Sequence, residues 1–184
     1  MNRHRGAEGG IALLKFVGAL LVLLAGTLFG FFQAQQLSRR PKQIRQLILA
    51  LGRLETEIAY GFTHLPDALT ALSRQSAEPL SRMFGQMADQ LNAAAGRSVN
   101  EIWQAAVRDG WKLTSMKEAE KEIMLQLGVT LGLTDREDQV KHLRLGVAQL
   151  QAEEELARDE QKRYEKMWKS LGVLSGALVV ILIY

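Results

Sequence analysis

Few residues of this chain have types and spacings that could do chemistry: Glu55 and Glu57, the Asp138–His142 pair, and His64. Two carboxylates share acid–base work only when they face one substrate. On a helix, positions two apart point about 200° from each other, so Glu55 and Glu57 read as a solvated or partner-facing edge. Asp138 and His142 are four apart, a spacing a metal could bridge. Two ligands are too few for a site and no HExxH motif is present, so a capping or ion-pair role is expected. His64, next to Leu65 and Pro66, reads as a turn residue. No GxxxxGK[ST] string is present, so the chain is not expected to hydrolyse nucleotides by itself. The absence of Cys excludes disulfides, thiol catalysis and thiolate metal sites. The expectation is a protein that is not an enzyme and takes no cofactor and no metal.

The elements that would position such residues are bracketed by two apolar stretches. Residues 11–32 contain one charge, Lys15, and residues 170–184 contain none. A bilayer core of about 30 Å needs roughly 20 helical residues. The first stretch is long enough. The second, extended back to Met167, gives about 27 Å, with Trp168, Lys169 and Tyr184 as interfacial anchors. The expected division is an N-terminal extension at 1–10, a transmembrane helix at 11–32, a helical domain at 33–166 and a second transmembrane helix at 167–184.

Basic residues near the spans set sidedness. Arg39, Arg40, Lys42 and Arg45 flank the first span, and Arg158, Lys162, Arg163, Lys166 and Lys169 flank the second. All are read as membrane-edge residues, which puts the central domain on the cytoplasmic side. That domain holds 19 Lys or Arg and 19 Asp or Glu over residues 33–166. It is neutral, so the chain's net +3 does not indicate nucleic-acid binding.

The middle reads as all-α. Ile44, Leu47, Ile48, Leu51, Leu54 and Ile58 recur at threes and fours, one face of a helix that starts after Pro41 and stops near Gly61. Thr63, Ser76, Ser98, Ser115 and Thr134 are expected N-caps, with capping boxes at Ser98/Glu101, Ser115/Glu118 and Thr134/Glu137. Gly96 and Gly132 suit left-handed C-terminal positions. Nothing breaks the last helix from about Asp135 onward. Val140, Leu143, Val147 and Leu150 pack it on the bundle. Residues 151–163 have almost no apolar stripe, so 151–166 reads as a stalk, or else as an exposed edge of the same bundle. The whole is a six-helix bundle flanked by N- and C-terminal transmembrane helices.

Two features are more specific. Gly26 and Gly30 form a GxxxG in the first span, and Gly172 and Gly176 another in the second. Such grooves let helix backbones approach closely, which suits span–span packing or a homo-oligomer. Asp135, Arg136, Glu137, Asp138, Lys141 and His142 form a dense polar patch, read as a docking surface for a cytoplasmic partner.

Four strings carry a family resemblance: SRRPKQIRQL at 38–47, LETEIAYGFTHLPDAL at 54–69, LGLTDREDQVKHL at 131–143 and EQKRYEKMWKSLGVLSG at 160–176. They resemble stage III sporulation protein AB of endospore-forming bacteria, from about residue 11 to 184. Residues 76–112 resemble it only in helical pattern. The resemblance implies likeness to the inner-membrane platform proteins of type II secretion and type IV pilus machines. It implies a place in the channel complex between mother cell and forespore, in the mother-cell membrane around the forespore. It also implies a cytoplasmic ATPase partner, stage III sporulation protein AA. A membrane-bound receptor or signalling adaptor with a helical cytoplasmic domain is the alternative reading of the same layout.

Overall fold

The computed structural model describes residue 18 and residues 38–61, 63–93, 96–131 and 135–183. All elements among them are helical, which makes the described chain all-α. Residues 38–56 form α1, which opens into a single π-helical turn, Glu57–Gly61. Then come α2 (Leu65–Gln75), α3 (Leu80–Asn92), α4 (Val99–Trp111), α5 (Glu118–Thr130) and α6 (Arg136–Ile183).

Residues 38–159 form one compact unit, and residues 1–37 with 160–184 form another. The first unit owes its fold to stripes at threes and fours. Ile44, Leu47, Leu51 and Leu54 of α1, Leu69 and Leu72 of α2, and Met83, Phe84 and Met87 of α3 are all essentially inaccessible. Burying each such side chain contributes about 1.5–3 kcal/mol. Consecutive helices α2 to α5 pack as neighbours, as short links between antiparallel helices dictate. Trp103 of α4 is the largest fully buried side chain among the described residues, and its indole N–H donates to the Met124 carbonyl at 2.6 Å. Gly128 is small to make room for it: a Cβ there would collide with the Trp103 ring.

The caps follow the expected chemistry in part. Ser98 and Glu101 exchange both hydrogen bonds of a capping box, at 3.2 and 3.0 Å, and Gly96 has φ 68°. Elsewhere the starts shift. The Thr63 hydroxyl donates to Glu57 instead, at 2.6 Å, and His64 holds the N-cap position. Ser76 closes α2, its N–H donating to the Leu72 carbonyl, while α3 begins after Pro79. Ser115 does not cap α5. Its N–H donates to Gln43 of α1 at 2.7 Å, and Glu120 accepts from the Lys117 N–H at 2.8 Å. Met116, buried at 7 % exposure, pulls this link against the bundle and moves the helix start by two residues. Asp135 caps α6, accepting from the Asp138 N–H at 2.9 Å; Thr134 and Gly132 lie outside the described residues.

The polar stretch after Leu150 joins the bundle for its first turns. Ala157 is 2 % exposed and belongs to the hydrophobic core, so residues 151–159 are an edge of the compact unit and not a free stalk. Alanine hides the stripe from a hydropathy reading because it is small.

In the second unit, residues 160–183 continue as helix. No helix among the described residues is long and apolar enough to cross a membrane. The segment 11–32, apart from residue 18, lies outside the described residues, as do Gly26 and Gly30.

Candidate functional site

Two helices present the polar surfaces singled out by sequence. They lie antiparallel in the first unit: Arg40 of α1 pairs with Glu153 of α6 at 3.1 Å, and Glu55 of α1 with Arg144 of α6 at 2.6 Å. The Glu55 hydrogen bond and charge hold the Arg144 guanidinium above its ordinary value. Glu55 and Glu57 diverge as helix geometry requires, Glu57 serving Thr63.

The predicted docking patch occupies the first two turns of α6. Asp135, Arg136, Glu137, Asp138 and Lys141 are exposed, and His142 is half-buried. Asp135 is also the cap, and Gln139, on the inner side, donates to the Leu131 carbonyl at 3.2 Å. Glu137, Asp138 and Lys141 remain the outward charges that a partner could meet.

Of the basic residues placed at the membrane edge, Arg39, Lys42 and Arg45 are exposed on α1, and Lys162, Arg163 and Lys166 are exposed on α6. The Lys169 side chain and the surroundings of Gly172 and Gly176 are outside the described residues. Arg40 departs from the expectation. It is 7 % exposed and sits inside the bundle. Its Nη2 lies 2.6 Å from Glu120, which is fully buried on α5, and its Nε donates to the same carboxylate at 2.8 Å. With Glu153 the guanidinium therefore ties α1, α5 and α6 together. A buried guanidinium needs such partners to offset its lost hydration.

Sequence reasoning missed these partners, though a signal existed. Arg40 continues the spacing of Ile44 and Leu47 backward, and Glu120 continues that of Met124 and Leu127. Glu153 falls between Leu150 and Ala157. Each charge occupies a core position of its helix.

Two open grooves flank α1. One, of about 490 Å³, is lined by Arg39, Lys42, Gln46, Arg82 and Leu113. The other, of about 510 Å³, lies between α1 and α6 and is lined by Ile48, Leu49, Gly52, Arg53 and Val147. Among the described residues no cluster of three metal-ligating side chains occurs. The site is a charged helical surface suited to contact with another macromolecule.

These features define an all-α bundle with a charged helical surface. The chain belongs to the stage III sporulation protein AB family, which its sequence matches over residues 15–184. It is 40 % identical over 171 residues to stage III sporulation protein AB of Bacillus subtilis (strain 168), covering 93 % of this chain and 99 % of that protein. A solved structure of stage III sporulation protein AB is similar with a TM-score of 0.64 and 39 % identity, over 68 % of this chain and 98 % of that one.

Proposed function

We propose that this sporulation protein is a membrane-anchored platform subunit of the mother cell–forespore channel complex, a scaffold that docks a cytoplasmic secretion-type ATPase, stage III sporulation protein AA. The observation that carries this reading is the antiparallel placement of α1 and α6. Arg40 and Glu153 pair near the points where the chain enters and leaves the 38–159 unit, so the two exits share one end. An apolar segment adjoins each exit in sequence. This suits a body held at two points on one bilayer face, with a cytoplasmic domain in the mother cell. The role is non-enzymatic: the body positions a motor and does no chemistry.

The docking surface is the start of α6, formed by Glu137, Asp138 and Lys141 with Asp135, Arg136 and His142 around them. Reversing the charges at Glu137 and Asp138 together is expected to weaken binding of the ATPase to full-length chain in vesicles at least tenfold. Helical content by circular dichroism should not change, because neither side chain is buried. Asp135 is left intact in this test, since removing its cap would cost about 1 kcal/mol of helix stability by itself. Undiminished co-sedimentation of the ATPase with the doubly reversed chain rules out this surface.

A further inference from the structure

Four cations on α1, Arg39, Lys42, Arg45 and Arg53, are exposed and have no ion-pair partner among the described residues. Arg45 and Arg53 lie about one turn to either side of Leu49, which is 56 % exposed at the edge of the groove between α1 and α6, and Lys42 lies two turns away, where it lines the other groove with Arg39. A Cβ at Gly52, in the same groove, would meet nothing within 4 Å, so the bundle itself does not require a glycine there. The neighbouring face of α6 is mixed in charge: Lys141, Arg144 and Arg158 are exposed on it, with Arg144 already paired to Glu55 and Arg158 to Glu154. Ala148 and Ala152 are exposed and flat, Leu145 beside them is 54 % exposed, and Glu155 has no ion-pair partner among the described residues.

We propose that two copies of this chain pair through these faces, α1 of each against α6 of the other, about a two-fold axis parallel to the helices. Charge selects the axis. A two-fold perpendicular to the helices would set α1 on α1, four unpaired cations against the same four. A parallel axis sets α1 on α6 and keeps each residue at its own height along the bundle. The register across the interface is then the register within one chain. The Arg40–Glu153 and Glu55–Arg144 pairs bracket that register to within about six residues. Both helices rise equally per residue, so counting from the midpoint of the two pairs puts Leu49 level with Val147 and Ala148. The shared lining of one groove by Leu49 and Val147 agrees. The same count puts Lys42 level with the stretch 151–157, in which Glu153 and Glu154 are already paired and Glu155 is the carboxylate left over. Leu49 of each copy therefore seats on Ala148 of the other, and Lys42 meets Glu155. The pairing also leaves the chain exits of both copies at one end.

The chain has no Cys, so disulfide trapping is free of background. Full-length Leu49→Cys and Ala148→Cys chains, carrying tags of different size, are mixed in vesicles of phosphatidylethanolamine and phosphatidylglycerol and mildly oxidised. The mixed Leu49→Cys/Ala148→Cys product is expected at least fivefold above Leu49→Cys self-product, and above product from Asp67→Cys, an exposed control on α2. Adding Glu155→Lys should lower it at least fivefold, and Lys42→Glu on top should restore it. Equal yields of mixed and self-product, or insensitivity to Glu155→Lys with helical content intact, overturn the pairing. So does the absence of cross-link in vesicles holding this chain alone, the result if another protein fills the groove. ATPase binding enters none of these readouts, so the two proposals fail separately.

Discussion

Arg40 brings a full charge to a position with almost no contact with water, and the fold answers with two carboxylates. Glu120 is the stricter partner, since it is fully buried and also accepts from the Lys117 N–H at the start of α5. Glu153 keeps some exposure and shares its charge with solvent. Breaking a buried pair leaves the other ion uncompensated, at about 3–5 kcal/mol. Urea unfolding of Arg40→Ala and of Glu120→Ala should each show a loss of that order. Replacing both with apolar residues, Arg40→Met with Glu120→Leu, should cost much less than the two single losses together. Additive losses would mean that the two groups do not act as a pair. The adjacent Arg39 differs by one helical step of 100° and faces water. Hydropathy treats the two arginines alike; only their phase against Ile44 and Leu47 separates them.

At the scale of the element, the informative helix is α6. Its apolar positions Leu143 and Leu150 are legible in the sequence, and Leu150 is followed by a run with almost no apolar stripe. The stripe continues through Glu153 and Ala157 to the edge of the compact unit. An alanine buries little area and a paired glutamate none that hydropathy scores, so the packing is silent in the sequence. Ala157→Asp is expected to destabilise the bundle by about 1–3 kcal/mol, because it buries an unpartnered carboxylate. Leu156→Asp, one residue earlier and 58 % exposed, should stay within about 0.5 kcal/mol. Equal effects of the two in thermal unfolding would return residues 151–159 to a free stalk. The caps give the same lesson in smaller form. Ser98 and Glu101 form a box because both are local to one turn, whereas Ser115 is drawn away by Gln43, a residue 72 positions distant.

At the scale of the whole molecule, the platform reading needs the 38–159 unit on one side of a bilayer and the C-terminus on the other. A single reporter Cys at Asn100 and another appended after Tyr184 are expected to react with an impermeant maleimide from opposite faces of sealed vesicles. Labelling of both from one face would overturn the two-span topology. The sequence by itself determined the helical class, the stripe of α1, the apolar brackets and the family, because each rests on local periodicity or on long matching strings. Tertiary structure alone decided which arginine is buried, which carboxylates answer it, and that α1 lies antiparallel to α6. Those depend on side chains about 80 to 113 positions apart meeting in space. No local pattern encodes such a meeting, since a charge on a core stripe is tolerable only if a distant helix supplies its counter-charge.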